Sequence, residues 1–159
     1  MPPTEFAHTV SRRWRNTLMI GRLLGPYLAF GALKRIVSLP RLVRWAWLRP
    51  AGDRDRATEA TALQCVVRLR TWLGAERGDC LHGSLALYRV LSRAGSNPTL
   101  VVGFRRDAST LAGHAWVEVD DACVVEAPPS QRGFIPAISF GCEGTLLSTP
   151  DARGTRQRG

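Results

Sequence analysis

The segment at residues 78–87, GDCLHGSLAL, decides the fold, because it predicts where a cysteine-bearing helix begins. Gly78 and Asp79 form a short break, and Asp79 is suited to cap a helix, so we expect the helix to span residues 80–94. Apolar side chains recur there at helical spacing, at Leu81, Leu85, Tyr88 and Leu91. This spacing predicts one apolar stripe that faces a core.

Further helices are predicted before this segment. Residues 11–48 interleave apolar side chains with arginines, a helical pattern that Pro26 and Pro40 are expected to divide. Residues 1–10 are predicted to be a loose leader. A helix over residues 58–74 then leads to the cysteine segment.

After Gly95 the apolar period changes from 3.6 toward 2, which predicts strands. The predicted strands cover residues 99–104, 115–119, 123–125 and 135–140. A polar loop is expected over residues 105–113, and a turn at Asp120-Asp121. Helices followed by a small antiparallel sheet predict the α+β class.

The 159 residues predict one core domain with two appendages. We expect a basic helical N-terminal segment over residues 1–56, the main domain over 57–149 and a disordered tail over 150–159. Residues 1–56 hold 11 of the 22 Lys+Arg but only three of the 13 Asp+Glu, so the net charge of +9 is concentrated there. The cysteine segment itself lies in a nearly neutral region.

The sequence argues against export and membrane insertion. It shows no secretory signal, and no apolar run approaches the roughly 20 residues that span a bilayer. The four cysteines lack a compact disulfide spacing. We therefore predict a cytoplasmic protein without membrane association. No nucleic-acid motif is visible, although a basic, tryptophan-containing region at residues 11–49 leaves binding to anionic lipid or nucleic acid as an alternative.

The second informative segment, residues 112–119, AGHAWVEV, contains His114 near the start of a predicted strand. A thiol at a helix start gains from the positive end of the helix dipole, and a neighbouring imidazole favours the thiolate further. Cys80 facing His114 therefore predicts a cysteine nucleophile and its base, with Trp116 as a wall of the pocket. The alternative is that Cys80 is a small buried hydrophobe.

A third member of the site should be a carboxylate or amide that orients the imidazole. Asp120 and Asp121 would lie roughly 20 Å from His114 along the strand, and Glu118 about 13 Å. Glu126, on the returning strand, is the preferred candidate. A two-residue turn would put Glu126 on the face opposite His114, whereas a three-residue turn or a bulge would restore the shared face.

No metal site or cofactor is predicted. Cys80, His82, His114 and Cys123 could be imagined as zinc ligands, but no CxxC or HxxxH spacing supports them. His82 is expected to point away from Cys80. The remaining cysteines, Cys65, Cys123 and Cys142, are expected to pack as small hydrophobes.

These residues resemble the lasso-peptide leader peptidases, bacterial enzymes of the transglutaminase-like superfamily. The resemblance lies in CLxxSLAL from Cys80, in HAWVEV from His114, and in VEAP around Glu126, and it covers residues 63–140. It implies a transglutaminase- or papain-like core and a cysteine peptidase that needs no cofactor. By the same resemblance, Cys80 is the nucleophile, His114 the base and acid, and Glu126 the orienting carboxylate, where the superfamily more often has aspartate.

The resemblance also implies partners. The substrate would be the leader region of a ribosomally made precursor peptide, presented in trans by a separate leader-recognition protein, with the lasso cyclase as a further partner. Two alternatives stay open: a transglutaminase-like acyl transferase, in which an amine replaces water, and a non-catalytic scaffold that binds leader or partner.

Overall fold

The computed structural model describes residues 3–72, 80–107, 110–125 and 132–147, with side chains over 17–72, 80–106, 110–125 and 132–147. The helices are α1 (Pro3–Leu33), α2 (Leu39–Ala46), α3 (Arg56–Trp72) and α4 (Cys80–Arg93). The strands are β1 (Thr99–Asp107), β2 (Thr110–Val119), β3 (Ala122–Cys123), β4 (Ile135–Phe140) and β5 (Leu146–Leu147). Helices followed by an antiparallel sheet confirm the α+β class. In the described part of the chain, no helix is both long and apolar enough to cross a membrane.

Helix α1 differs from the prediction at two points. It begins at Pro3, so the expected loose leader over residues 1–10 is wrong, and it continues through Pro26, where the helical pattern was expected to divide. Leu23, Tyr27 and Phe30 are buried on one face across the proline. Gly25 is exposed and Pro26 is half-buried at the edge of that stripe, and burial of the stripe holds the helix together despite the hydrogen bond that proline removes. Pro40 lies in the first turn of α2, as predicted.

Helix α4 is the centre of the molecule. It was predicted to bury one stripe, but every residue from His82 to Tyr88 is buried. Helices α1, α2 and α3 and strands β1 and β2 all contact it. Small residues at Gly83, Ser84 and Ala86 let these neighbours approach closely, so the helix that presents Cys80 is held on all sides.

The sheet has the order β3-β2-β1-β4-β5, and all its pairs are antiparallel. Leu100 of β1 pairs with Val117 of β2 on one side and with Phe140 of β4 on the other. These three side chains are almost fully buried and join the core that contains α4. The sheet therefore places the middle of β2 beside the central helix.

The β1–β2 hairpin is longer than predicted. Residues 105–113 were expected to form a loop, but pairing continues through Arg105↔Ala112 and Arg106↔Leu111 to Asp107↔Thr110. The polar composition misled the prediction, because backbone pairing continues where side chains are exposed. As a consequence His114 lies in the middle of β2 and not at its start.

The core crosses the boundary predicted at residue 56. Met19, Leu23 and Leu42 from the N-terminal helices belong to the same buried cluster as Leu85 and Leu100. Four predicted features lie wholly or partly outside the described residues: the end of the helix over 58–74, the cap Asp79, residues 108–109 of the predicted loop and the tail over 150–159.

Candidate active site

Cys80 and His114 meet where the start of α4 contacts the middle of β2. Cys80 is the first residue of α4, and its thiol shares a hydrogen bond with the His114 imidazole. One helical turn later, the buried Ser84 hydroxyl donates to the Ala115 carbonyl at 2.9 Å. This bond fixes the helix against the strand beside the two reactive groups. The structure thus brings together the two residues that the sequence singled out.

The surroundings of Cys80 favour its thiolate. Burial raises the pKa of the Cys80 thiol, but its interactions with His114 and the hydrogen bonds from the backbone N–H groups of Ala115 and Leu81 outweigh it. The net result is a Cys80 pKa below the usual thiol value. A lowered pKa raises the fraction of the nucleophilic form near neutral pH.

Aromatic rings hold the His114 imidazole from two sides. The Trp116 ring stacks on it with centroids 5.9 Å apart, and the Phe134 ring lies at 4.9 Å. His114 is only 9% exposed. Gly103, which pairs with His114, makes room for this arrangement, because a Cβ there would lie 2.8 Å from Trp116 Cη2. Trp116 is a wall of the site, as predicted.

The third member stays a prediction, because Glu126 lies outside the described residues. The turn before it has two residues, with Val119 paired to Ala122 and positive φ at Asp120 and Asp121. This is the register that was expected to put Glu126 opposite His114. Regular pairing of β3 ends at Cys123, however, so strand alternation does not predict the position of Glu126.

Glu118 has a different role from orienting His114. Its carboxylate accepts a hydrogen bond from the Trp116 indole at 2.9 Å. The bond fixes the tryptophan that stacks on His114. Glu118 therefore supports the wall of the site, in agreement with the prediction that it lies too far along the strand to reach the imidazole.

Cys123 lines the small cavity beside Cys80, whereas His82 lies apart from the thiol–imidazole pair. His82 faces α1, with its ring 5.6 Å from the Tyr27 ring, which confirms that it points away from Cys80. Cys65 is buried as predicted, whereas Cys142 is exposed, so its expected packing is wrong. Within the ranges described above, no three His, Cys, Asp or Glu side chains form a group that could hold a metal ion.

The space beside Cys80 is small. A cavity of about 10 Å³ is lined by Cys80, Ser84 and Trp116, enough for about one water molecule. A larger cavity of about 640 Å³ lies between α1 and the end of α4, near Arg22 and Arg93. Any reacting group must therefore reach the half-buried sulfur from the protein surface.

A family model for the transglutaminase-like superfamily matches residues 25–139, well over half of the chain. The chain belongs to this superfamily. No curated protein and no solved structure shows a significant match to the sequence. Transglutaminase-like proteins often have cysteine hydrolase activity, and the match is compatible with either cysteine-protease or transferase chemistry. The matched residues of this transglutaminase-like domain include both Cys80 and His114.

Sequence reasoning missed three residues of the transglutaminase-like site: Ser84, Arg132 and Phe134. Ser84 follows Cys80 by four residues, so helical spacing could have placed both on one face. Arg132 and Phe134 contact His114 across a stretch rich in proline and glycine. No periodic pattern predicts such contacts, because they depend on how an irregular loop returns to the sheet.

Proposed function

We propose that this protein is a cysteine peptidase that removes the leader from a ribosomally synthesised lasso-peptide precursor. The observation that carries the proposal is the hydrogen-bonded pair of Cys80, at the start of the central helix, and His114, on the adjoining strand. The substrate class rests on the sequence resemblance of the segments around these residues. Superfamily membership supports the reaction class.

The first step is attack of the Cys80 thiolate on the carbonyl carbon of the peptide bond between leader and core. The carbonyl oxygen becomes an oxyanion in the tetrahedral intermediate. Cys80 N–H, the first of α4, has no carbonyl partner within the helix and can donate to this oxyanion. The positive end of the helix dipole favours both the thiolate and the oxyanion.

The second step breaks the C–N bond. His114 in its protonated form donates a proton to the departing amine of the core, and the leader remains as a thioester on Cys80. Water, deprotonated by His114, then hydrolyses the thioester and releases the leader with a free carboxylate. Glu126 is the proposed orienting group for the imidazole in these proton transfers.

The partners belong to the same proposal. A separate leader-recognition protein would present the precursor, and the cyclase would take up the released core. The small cavity at Cys80 supports surface delivery of an extended peptide, since it has no room for a substrate side chain. A transglutaminase-like acyl transferase would share the thioester and differ only in the nucleophile that resolves it.

The test incubates the protein with precursor and leader-recognition protein and follows the products by mass spectrometry. Cys80→Ala should abolish cleavage while binding of the precursor is retained. Cys142→Ala, which removes an exposed cysteine, is the matched control and should cleave like the wild type. Cleavage by Cys80→Ala would sink the proposal. A joined product would identify the transferase, and binding without any product from the wild type would identify a scaffold.

A further inference from the structure

The Nε2 atom of His114 lies 2.9 Å from Nη2 of Arg132. Several contacts hold this arginine in place. Nη1 of Arg105 donates to the Arg132 carbonyl at 3.0 Å, and both guanidinium groups lie against the Phe134 ring, 4.9 and 5.7 Å from its centroid. Since Phe134 also contacts the imidazole, the two arginines, the phenylalanine and His114 form one packed unit.

The chemistry of a guanidinium group fixes the direction of this hydrogen bond. Arginine has five N–H donors, no acceptor and a charge that it keeps at all ordinary pH values. Nε2 of His114 must therefore accept. A histidine that accepts at Nε2 is neutral and has its proton on Nδ1, because the imidazolium form donates at both nitrogens. The Nδ1–H group is then available to donate to the Cys80 sulfur.

We infer that Arg132 is a positioning residue that holds His114 neutral, with its proton on Nδ1, in the resting protein. The positive charge that balances the Cys80 thiolate is then on Arg132, one imidazole ring away, and not on His114 itself. The other charged groups around the imidazole are consistent with this arrangement. Arg105 lies beyond Phe134, and Glu118 is bonded to the Trp116 indole.

This inference rests on the thiol–imidazole pair of the proposed peptidase and adds a requirement to its reaction cycle. Protonation of the departing amine needs an imidazolium, which has protons on both ring nitrogens. Arg132 must leave Nε2 before that step, so that Nε2 can take up a proton from solvent and form the imidazolium. The resting structure is therefore arranged to keep the thiolate ready for attack, while the acid step has to wait until Arg132 has moved.

The test is ¹⁵N NMR of the histidine side chains across a pH titration, because a protonated and a non-protonated ring nitrogen have well-separated shifts. His114 is assigned by the loss of its signals in His114→Gln. We expect the wild type to show a non-protonated Nε2 near neutral pH. Arg132→Met, which removes both charge and donor, should move the His114 titration midpoint up by about one pH unit or more.

Two variants control the experiment. Arg106→Met removes a neighbouring exposed arginine of β1 and should leave the His114 titration unchanged. Arg132→Lys keeps a cationic donor and should retain the low midpoint. If a backbone ¹H–¹⁵N spectrum shows that Arg132→Met is misfolded, the protonation state of Nε2 in the wild type decides.

A protonated Nε2 in the wild type, or an unchanged midpoint in a folded Arg132→Met, would overturn the inference. The measurement needs no substrate, so its outcome is separate from that of the proposed function. The peptidase proposal fails on the cleavage assay with Cys80→Ala, whereas the role of Arg132 fails on the state of the His114 ring.

Discussion

Replacing Ser84 by alanine tests how the helix and the strand are fixed at the site. The hydroxyl is buried, and it donates to the Ala115 carbonyl at 2.9 Å. Ser84→Ala leaves that carbonyl without this donor in a dry environment, which costs about 1–3 kcal/mol. For a protein of this size each kcal/mol lowers the melting temperature by about 2–4 °C, so a loss of about 4–8 °C is expected for the middle of that range.

The same substitution should affect Cys80. The backbone N–H of Ala115 is one of the donors that lower the Cys80 pKa, and the Ser84 bond holds that residue in place. We expect iodoacetamide to alkylate Cys80 more slowly in Ser84→Ala near neutral pH. Site-resolved mass spectrometry separates Cys80 from the other three cysteines.

Urea denaturation followed by circular dichroism measures the stability change. Ser38→Ala is the matched control, since Ser38 is exposed and its side chain makes no hydrogen bond at the start of α2. That control should stay within about 0.5 kcal/mol of the wild type. If Ser84→Ala changed the free energy of unfolding as little as Ser38→Ala does, and Cys80 reacted at the wild-type rate, the role assigned to the Ser84–Ala115 bond would be wrong.

Two further substitutions test the packing of the wall and an ionic contact. Gly103→Ala should destabilise the fold by about 1–3 kcal/mol in urea denaturation, because its Cβ would lie 2.5 Å from the Ile135 carbonyl oxygen and 2.8 Å from the Trp116 ring. Gly21→Ala, with open space around it, should be neutral or stabilising, and equal effects would refute the close packing. The Glu59 pKa is lowered by its hydrogen bond with Arg54, so its contribution to stability is present above the usual value of 4.5 and is lost as the pH falls through the lowered pKa. Glu59→Gln should therefore lose less stability than the wild type between pH 5 and about 3, and parallel stability curves would contradict this account.

Much of the fold could be predicted from periodicity. The start of α4 and strand β4 were predicted at the residue where each begins, because a capping segment or a turn-rich boundary coincides with a change of period. The continuation of α1 through Pro26 could not be predicted, because it depends on the burial of neighbouring side chains in a core that the local sequence does not reveal. The same holds for the β1–β2 hairpin, where partner strands outweigh local polarity.

In the site, too, the residues with a recognisable local sequence could be predicted, and those placed by contacts distant in sequence could not. Cys80 and His114 could be found because each has a local setting that suits its chemistry: a helix start and an open strand. Arg132 could not, because its contact with His114 spans an irregular loop. Glu126 was chosen because the returning strand could bring it alongside His114, on condition of a three-residue turn or a bulge; the turn has two residues, and Glu126 itself lies outside the described residues.

The central claim is that His114 activates Cys80, and the rate of Cys80 alkylation as a function of pH tests it most directly. In the wild type, the midpoint of the rate profile should lie below 9.0, the usual pKa of a cysteine thiol. In His114→Ala the midpoint should move up, because the largest of the groups that lower the Cys80 pKa is gone while burial still raises it. A wild-type midpoint at or above 9.0 that does not change in His114→Ala would contradict the account.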